Sequence, residues 1–474
     1  MMYCNFQFFN FVLRYIIMAD NTNTKNNLTT GNPFTVLIKF ALPFLLSSFM
    51  QSLYGMVDLF VVGLYNDAST TTAVSIGSQV MHMLTVIIIG LAMGSTVKIG
   101  YCIGAKDYKT TAKTIGNSLS LFALLSIIVT FILLLCKRGI VNVMLTPIES
   151  VSQTNAYLLV CFAGIPFIVM YNIISSIFRG LGDSKTPMYF VAIACVINII
   201  LDFVFVGIFH LGALGAALAT VLAQAFSTVF AFLMMQKRSF GFTIKKEDFV
   251  LERQMLNDIV KVGFPIALQD GFIQISFIII TIIANSRGLI FAASVGIVEK
   301  FIGFLFLVPS AMLSAISAIT AQNYGAGKKE RATLSLRYAL SMVLVFGGVM
   351  CLLCQFFPGT FVGIFSREMP VIEAGALYLM SYAADCIFAG VHFVFSGYFC
   401  GIGKSGISFI HNIISILVMR IPGAYLASVW FTDTLYPMGW AAPLGSLISA
   451  VICVGFYVWS RKNSSKSYAQ SISF

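Results

Sequence analysis

Apolar stretches long enough to cross a bilayer recur along almost the whole chain, separated by short polar connections. A hydrocarbon core of about 30 Å is spanned by about 20 residues of helix. Runs of that order lie near 36–62, 72–97, 114–136, 155–177, 187–209, 212–236, 259–285, 290–318, 332–356, 373–398, 405–430 and 438–460. A membrane β-barrel would instead show short segments of alternating apolar and polar residues. The pattern predicts an all-α integral membrane protein of about twelve transmembrane helices, each satisfying its own backbone inside the lipid. The longest polar connection, Gln236 to Asp258, carries Lys237, Arg238, Lys245, Lys246, Glu247, Asp248, Glu252 and Arg253 and divides the runs six and six. The expected organisation is a tail over 1–35, a first lobe over 36–236, a linker over 237–258, a second lobe over 259–460 and a tail over 461–474.

The two halves repeat one another. Lys39-Phe-Ala-Leu-Pro43 returns as Lys261-Val-Gly-Phe-Pro265. Ile103-Gly104-Ala105-Lys106 returns as Tyr324-Gly325-Ala326-Gly327-Lys328, and Phe178-Arg-Gly180-Leu-Gly182 as Phe399-Cys-Gly401-Ile-Gly403. The offset from Gly104 to Gly325 equals that from Gly180 to Gly401, and the offset from Pro43 to Pro265 is longer by a single position. So constant an offset marks an internal duplication. Because six is even, the second copy enters the membrane in the same direction as the first. The expected result is two parallel six-helix repeats about a pseudo-two-fold axis along the membrane normal, with a cavity between them.

Composition agrees with a lipid environment: 58% of the 474 residues are hydrophobic and 10% charged, with a mean hydropathy of +0.92, against roughly 25% charged in a soluble domain. A net charge of +11 would point to nucleic acid in a soluble protein, but here the basic residues sit between the apolar runs, so nucleic acid is not an expected partner and the bilayer is. With the N-terminus inside, the cytoplasmic connections and tails hold 21 lysines and arginines, including Lys25, Lys98, Lys106 and Lys466, against four outside, Lys137, Arg138, Arg287 and Arg367. That asymmetry predicts a multi-pass cell-membrane protein with both termini in the cytoplasm, and Trp430 and Trp440 flank the last outer loop as interfacial rings do. The aromatic-rich residues 1–17 precede a polar stretch, Asn21 to Asn27, and Met18 reads as an initiator; residues 1–17 are set aside from the fold.

Candidate chemistry is sparse. Ten cysteines and four histidines form no zinc spacing or catalytic cluster, and Cys351 and Cys354 fall inside an apolar run. No phosphate-cradling G-x-x-x-x-G-K-[ST] occurs. No catalytic residue, enzyme activity or cofactor is expected. Charges inside apolar runs default to functional hypotheses; they are Asp58, Asp202, Asp270, Glu299, Lys300, Asp385 and Arg420. Asp58, Asp202 and Thr220 fall in the outer half of the first lobe, and Asn198 and Asp202, four apart, share one helix face. Two carboxylates in one poorly solvated pocket repel, which suits the pair to hold a proton, with a Na⁺ ion among the same oxygens as the alternative.

These residues resemble the multidrug and toxic compound extrusion (MATE) family, particularly its DinF-like and MepA-like branches. The resemblance rests on Pro43 with Val57-Asp58-Leu-Phe-Val-Val-Gly63, the Gly104-Ala105-Lys106 connection and Phe178-Arg-Gly-Leu-Gly-Asp-Ser-Lys-Thr-Pro187. Asn198-Ile-Ile-Leu-Asp202, Gly212-Ala-Leu-Gly-Ala-Ala-Leu-Ala-Thr220 and Gln322-Asn-Tyr-Gly-Ala326 extend it over about residues 33–460. It implies a monomeric secondary transporter that expels small organic, often cationic molecules by alternating access in exchange for H⁺ or Na⁺. It also implies that Asp58, Asn198, Asp202 and Thr220 form the coupling site. Asp270, Glu299, Lys300, Asp385 and Arg420 are candidates for a second-lobe cavity, with a structural ion pair to Arg420 or Lys300 as the alternative. A flippase for a lipid-linked or polysaccharide precursor is the rival reading, disfavoured by twelve spans and only two candidate cavity bases. A membrane-embedded enzyme or a passive channel stands further off.

Overall fold

In this computed structural model, the structure describes residues 27–238 and 240–472, the side chains of 463–472 excepted. Residues 1–17, Met18 and Lys25 lie outside that description, as does the side chain of Lys466.

Polar residues punctuate the helices. Asn32 caps α1 (Pro33–Tyr65), accepting from the Phe34 amide at 2.9 Å with proline at the first helical position. Asp67 caps α2 (Ala68–Gly104) and Asp107 caps α3 (Tyr108–Val143) through the amides of Thr70 and Thr110, each at 3.0 Å. Hydrogen bonds from those threonines hold both carboxyls below the ordinary aspartate range. The bent α4 (Val151–Ala163 and Ile165–Gly180), α5 (Lys185–Ile208) and α6 (Gly212–Lys237) complete the first lobe. The second comprises α7 (Arg253–Asn285), α8 (Leu289–Gly325), α9 (Lys329–Phe356), the bent α10 (Met369–Tyr382 and Asp385–Gly401), α11 (Ser405–Trp430) and α12 (Tyr436–Lys462). The chain is thus an all-α membrane protein with twelve spans when each bent pair counts as one.

Several helices overrun their apolar stretches. Lys98, expected in a connection, lies within α2, where its ammonium meets Asp258 on α7 at 2.6 Å. α7 itself starts at Arg253, and the chain before it is pinned to α3. Asn117 donates to the Asp248 carbonyl at 3.0 Å and accepts from the Glu252 amide at 2.7 Å, while Ser120 donates to the Phe249 carbonyl at 2.7 Å.

The duplication extends to irregularities that hydropathy does not carry. α4 bends by 48° around Gly164 and α10 by 45° just before Asp385, which is the position that the glycine offset pairs with Gly164. α5 and α11 each widen into a π-helical segment, Phe203–Ile208 and Ile416–Arg420. Such widened turns cluster at functional sites, and these two adjoin the buried charges Asp202 and Arg420.

The lobes meet at the end that carries the basic connections. A Cβ on Gly104 would lie 1.9 Å from the Gln322 carbonyl oxygen, and one on Gly325 2.0 Å from that of Tyr101. Tyr101 and Gln322 are themselves paired by the same offset as Gly104 and Gly325, so the two contacts are reciprocal and the pseudo-two-fold axis passes between them. Gln322 Nε2 also donates to the Gly180 carbonyl at 2.9 Å, and Met93, Val97, Val262, Ile266, Ala321 and Cys400 fill the seam with apolar surface. Farther along, Phe49 and Phe304 meet edge-on with centroids 6.4 Å apart. Beyond them, α8 up to Leu305 and α11 pack chiefly within their own lobe.

Candidate functional site

Three helices of the first lobe converge on one buried polar cluster beyond the seam. Asp58 on α1 is 4% exposed, Asn198 on α5 is 1% and Asp202, one turn later, is 0%. Both α5 side chains lie against the Asp58 carboxyl, as their four-residue spacing predicts. From α6, Thr220 Oγ1 donates to Asp58 Oδ2 at 3.3 Å. The four residues expected to form the coupling site therefore meet.

The hydrogen-bond inventory of this cluster is incomplete. Asp58 Oδ1, both carboxylate oxygens of Asp202, and both polar atoms of the Asn198 amide are buried with no aligned partner among the described residues. Among the described residues no lysine or arginine acts on either carboxyl; the groups near Asp58 include Tyr54, Tyr157, Cys161 and Cys195. Two anionic carboxylates without a countercharge are untenable in a low-dielectric pocket. One shared proton removes the repulsion, and a small hard cation among Asp58 Oδ1, the Asn198 carbonyl, Asp202 and Thr220 Oγ1 does so equally, oxygen being the ligand such ions take. Nearly all of those atoms are the ones left unpartnered, so the residues fit either occupant.

The cluster has no copy in the second lobe at the same place: the offset from Pro43 to Pro265 carries Asp58 onto Ile280, 2% exposed inside an apolar core. The second lobe builds a different polar pocket. Arg420 Nη2 donates to the Tyr382 hydroxyl at 3.0 Å, and its guanidinium lies 4.4 Å from the centre of the Phe277 ring. Glu299 accepts from Thr281 Oγ1 at 3.1 Å, and Asp385 adjoins Ser446. Both acids act on Arg420 across space, but among the described residues neither is in ion-pair contact with it. Asp270 stands apart at the lobe seam, with Oδ2 against Gly90 of α2. Lys300 is exposed, away from the pocket, because neighbours on a helix point about 100° apart. Of the five second-lobe candidates, then, Glu299, Asp385 and Arg420 share a pocket, and Asp270 and Lys300 do not.

Some lining residues escaped the reading of the sequence. Tyr54 lies one turn before Asp58 and Gln224 one turn after Thr220; helical spacing from the acids would have found both. Tyr378, Tyr382 and the buried pair His392 and His411, with ring centroids 5.6 Å apart, carry no comparable signal.

Comparison with known proteins places this architecture. One family model, MatE, matches the chain twice, over residues 43–204 and 265–426, the two segments beginning at the paired prolines Pro43 and Pro265. A Bacillus subtilis (strain 168) protein described as "Probable multidrug resistance protein YpnP" is 26% identical over 445 residues, covering 94% of this chain and 99% of its own. "Multidrug export protein MepA" of Staphylococcus aureus (strain N315) is 24% identical over 77% of this chain and 80% of its own length. Among solved structures, a MOP superfamily transporter from Pyrococcus furiosus superposes with a TM-score of 0.86 at 23% identity, over 94% of this chain and 98% of that one. A multidrug resistance MATE family transporter in an outward-facing conformation gives 0.85 at 23% identity, over 93% and 97%. With both halves of the chain matched by the same model, this protein belongs to the MatE family.

Proposed function

We propose that this protein is a multidrug efflux transporter that exports small amphipathic organic cations by alternating access, driven by protons loaded at Asp58 and Asp202. The observation that carries this reading is the pair of buried carboxyls that, among the described residues, have no basic neighbour and carry unpartnered oxygens on both. Such a pair takes up positive charge when it faces a proton-rich side and releases it on the other, provided the surrounding lobes reorient. The seam supports that motion: where it consists of backbone contact through Gly104 and Gly325, the helices can separate without withdrawing interlocked side chains. Backbone contact between the lobes at the basic end, with α8 up to Leu305 and α11 packed within their own lobe, supports an outward-facing state with both termini in the cytoplasm. Names of relatives that cover nearly the whole chain, such as the one from Bacillus subtilis, point to drug resistance.

The cation acts as fuel by differential binding. A proton at the Asp58–Asp202 pair weakens the claim of a cationic cargo on the same field, so cargo leaves as the proton enters, and the loaded carrier turns inward. Na⁺ remains the competing fuel, since the same oxygens suit it. One chain contains both lobes and the cleft, so the monomer suffices. The test is expression in a host lacking its own pumps. Wild-type protein should lower accumulation of ethidium-like dyes, and Asp202→Asn should restore it at equal membrane abundance. Indifference of every dye in a broad panel, together with build-up of a lipid-linked precursor on loss of the protein, would favour the flippase.

A further inference from the structure

Arg179 ends α4 at the basic end but lies within the first lobe. Its Nη2 donates to Ser176 Oγ at 2.6 Å, and its guanidinium lies 5.4 Å from the centre of the Phe44 ring. Among the described residues it has no ion-pair partner. The acid nearest in sequence, Asp183, is already engaged by Arg238, by the Thr186 hydroxyl at 2.6 Å, and by the amides of Lys185 and Thr186 at 2.9 and 3.1 Å. A guanidinium carries five N–H donors, and the protein meets few of these.

The arginine lines a cavity of about 60 Å³ between α1, α2, α4 and α5, whose other polar walls include Gln51, Tyr171, Asn172, Ser175 and Ser184, and which, among the described residues, no carboxylate lines. Ser175 is 2% exposed; Tyr171 lies beside its hydroxyl, but among the described residues that hydroxyl has no aligned hydrogen-bond partner. The duplicated lobe offers an internal comparison. There, at the offset that pairs Gly180 with Gly401, Cys400 replaces Arg179 and Ser396 replaces Ser175, and the Ser396 hydroxyl is satisfied by His411 Nε2 at 2.9 Å. The charge and the orphan hydroxyl are thus peculiar to the first lobe.

We propose that this cavity binds one oxyanion group, a carboxylate or a phosphate, received by the Arg179 fork and the Ser175 hydroxyl. The fork matches two oxygens of such a group in one plane. The volume admits about four water-sized groups, the scale of a carboxylate or phosphate and too small for a drug-sized cation. A free anion and the headgroup of a phosphate-bearing lipid present the same oxygens to it.

The test uses the full chain in dodecyl maltoside micelles, which carry no phosphate, reading the thermal unfolding midpoint against sodium phosphate, sodium acetate and sodium chloride at equal ionic strength. A second arm, without added anion, adds phosphatidic acid to the micelles. The expected result is a saturable rise with phosphate or acetate beyond that with chloride, or, for the headgroup source, a rise with phosphatidic acid alone. In either case Arg179→Gln should abolish the rise. Ser175→Ala, a mild change that keeps the arginine, should raise the half-saturating concentration about tenfold, the effect of losing one hydrogen bond to a charged group. A midpoint indifferent to phosphate, acetate and phosphatidic acid would show that water fills the cavity and overturn the proposal. So would an equal rise in Arg179→Gln, or unchanged half-saturation in Ser175→Ala should the arginine variant fail to fold.

Discussion

Replacing Gly104 with alanine should tip the protein out of the state in which the basic end is closed. The added Cβ would stand 1.9 Å from the Gln322 carbonyl oxygen, whereas such contacts stay above 3.0 Å, so α2 and α8 must separate there by about 1.1 Å. The obstacle is backbone, which cannot swing aside like a side chain. Overpacking of this kind costs about 1–3 kcal/mol. Because the cost falls only on the closed seam, the ratio of closed to opened protein should drop roughly 5- to 150-fold. Gly325→Ala should do the same through Tyr101, and the double variant should add little, since one separation relieves both clashes. Gly139→Ala, with nothing within 4 Å of the added atom, is the control. Spin labels at Lys109 and Glu330 read the basic end, and labels at Ala68 and Leu289 read the opposite end, in a background without reactive cysteines. Gly104→Ala should lengthen the first distance and shorten the second. Unchanged distances at both ends in a fully folded variant would refute the seam as the element that switches.

Removing the Lys98–Asp258 ion pair by Lys98→Ala should matter far less: its side chains are 23% and 33% exposed, and a pair so placed is worth about 0–1 kcal/mol, so labels at the basic end should report a shift of at most about fivefold. Thr220→Val removes the one hydrogen bond aligned on Asp58 and should weaken proton-dependent efflux by up to about tenfold, on the scale of about 1 kcal/mol, measured as a displaced pH dependence of dye export. Single cysteines at Lys245 or Glu247 should resist impermeant maleimide in intact cells and react after permeabilisation; ready labelling from outside would reverse the topology.

Helices were easy to place from the chain because a bilayer fixes both their length and their apolar character, while the repeat of Pro43 at Pro265 and Gly104 at Gly325 made the duplication readable as arithmetic. Asp58 and Asp202 stood out because a charge in an apolar run is costly and rare, and the spacing from Asn198 to Asp202 placed them on one face. The second lobe was harder. Asp270 and Asp385 look alike in sequence, yet one lies at the seam and the other in a pocket with Arg420, a difference created by which helices cross. The bend before Asp385 has no proline or glycine to announce it, only Ala383 and Ala384. Neither could the seam glycines be singled out among the chain's 38, since their role depends on the backbone of another lobe. Arg179 stood out in the sequence only as a member of the repeated Phe178–Gly182 motif, because the hollow beside it exists only once four helices have packed.

The central claim is that proton binding at the Asp58–Asp202 pair drives export, and transport into proteoliposomes under separately imposed gradients tests it most directly. Purified protein should move an organic cation against its gradient when a pH gradient is applied, in the absence of Na⁺, and Asp202→Asn protein of equal fold and cargo affinity should not. Transport that follows a Na⁺ gradient and ignores pH would contradict the proton reading, and full concentrative transport by Asp202→Asn would contradict the site itself.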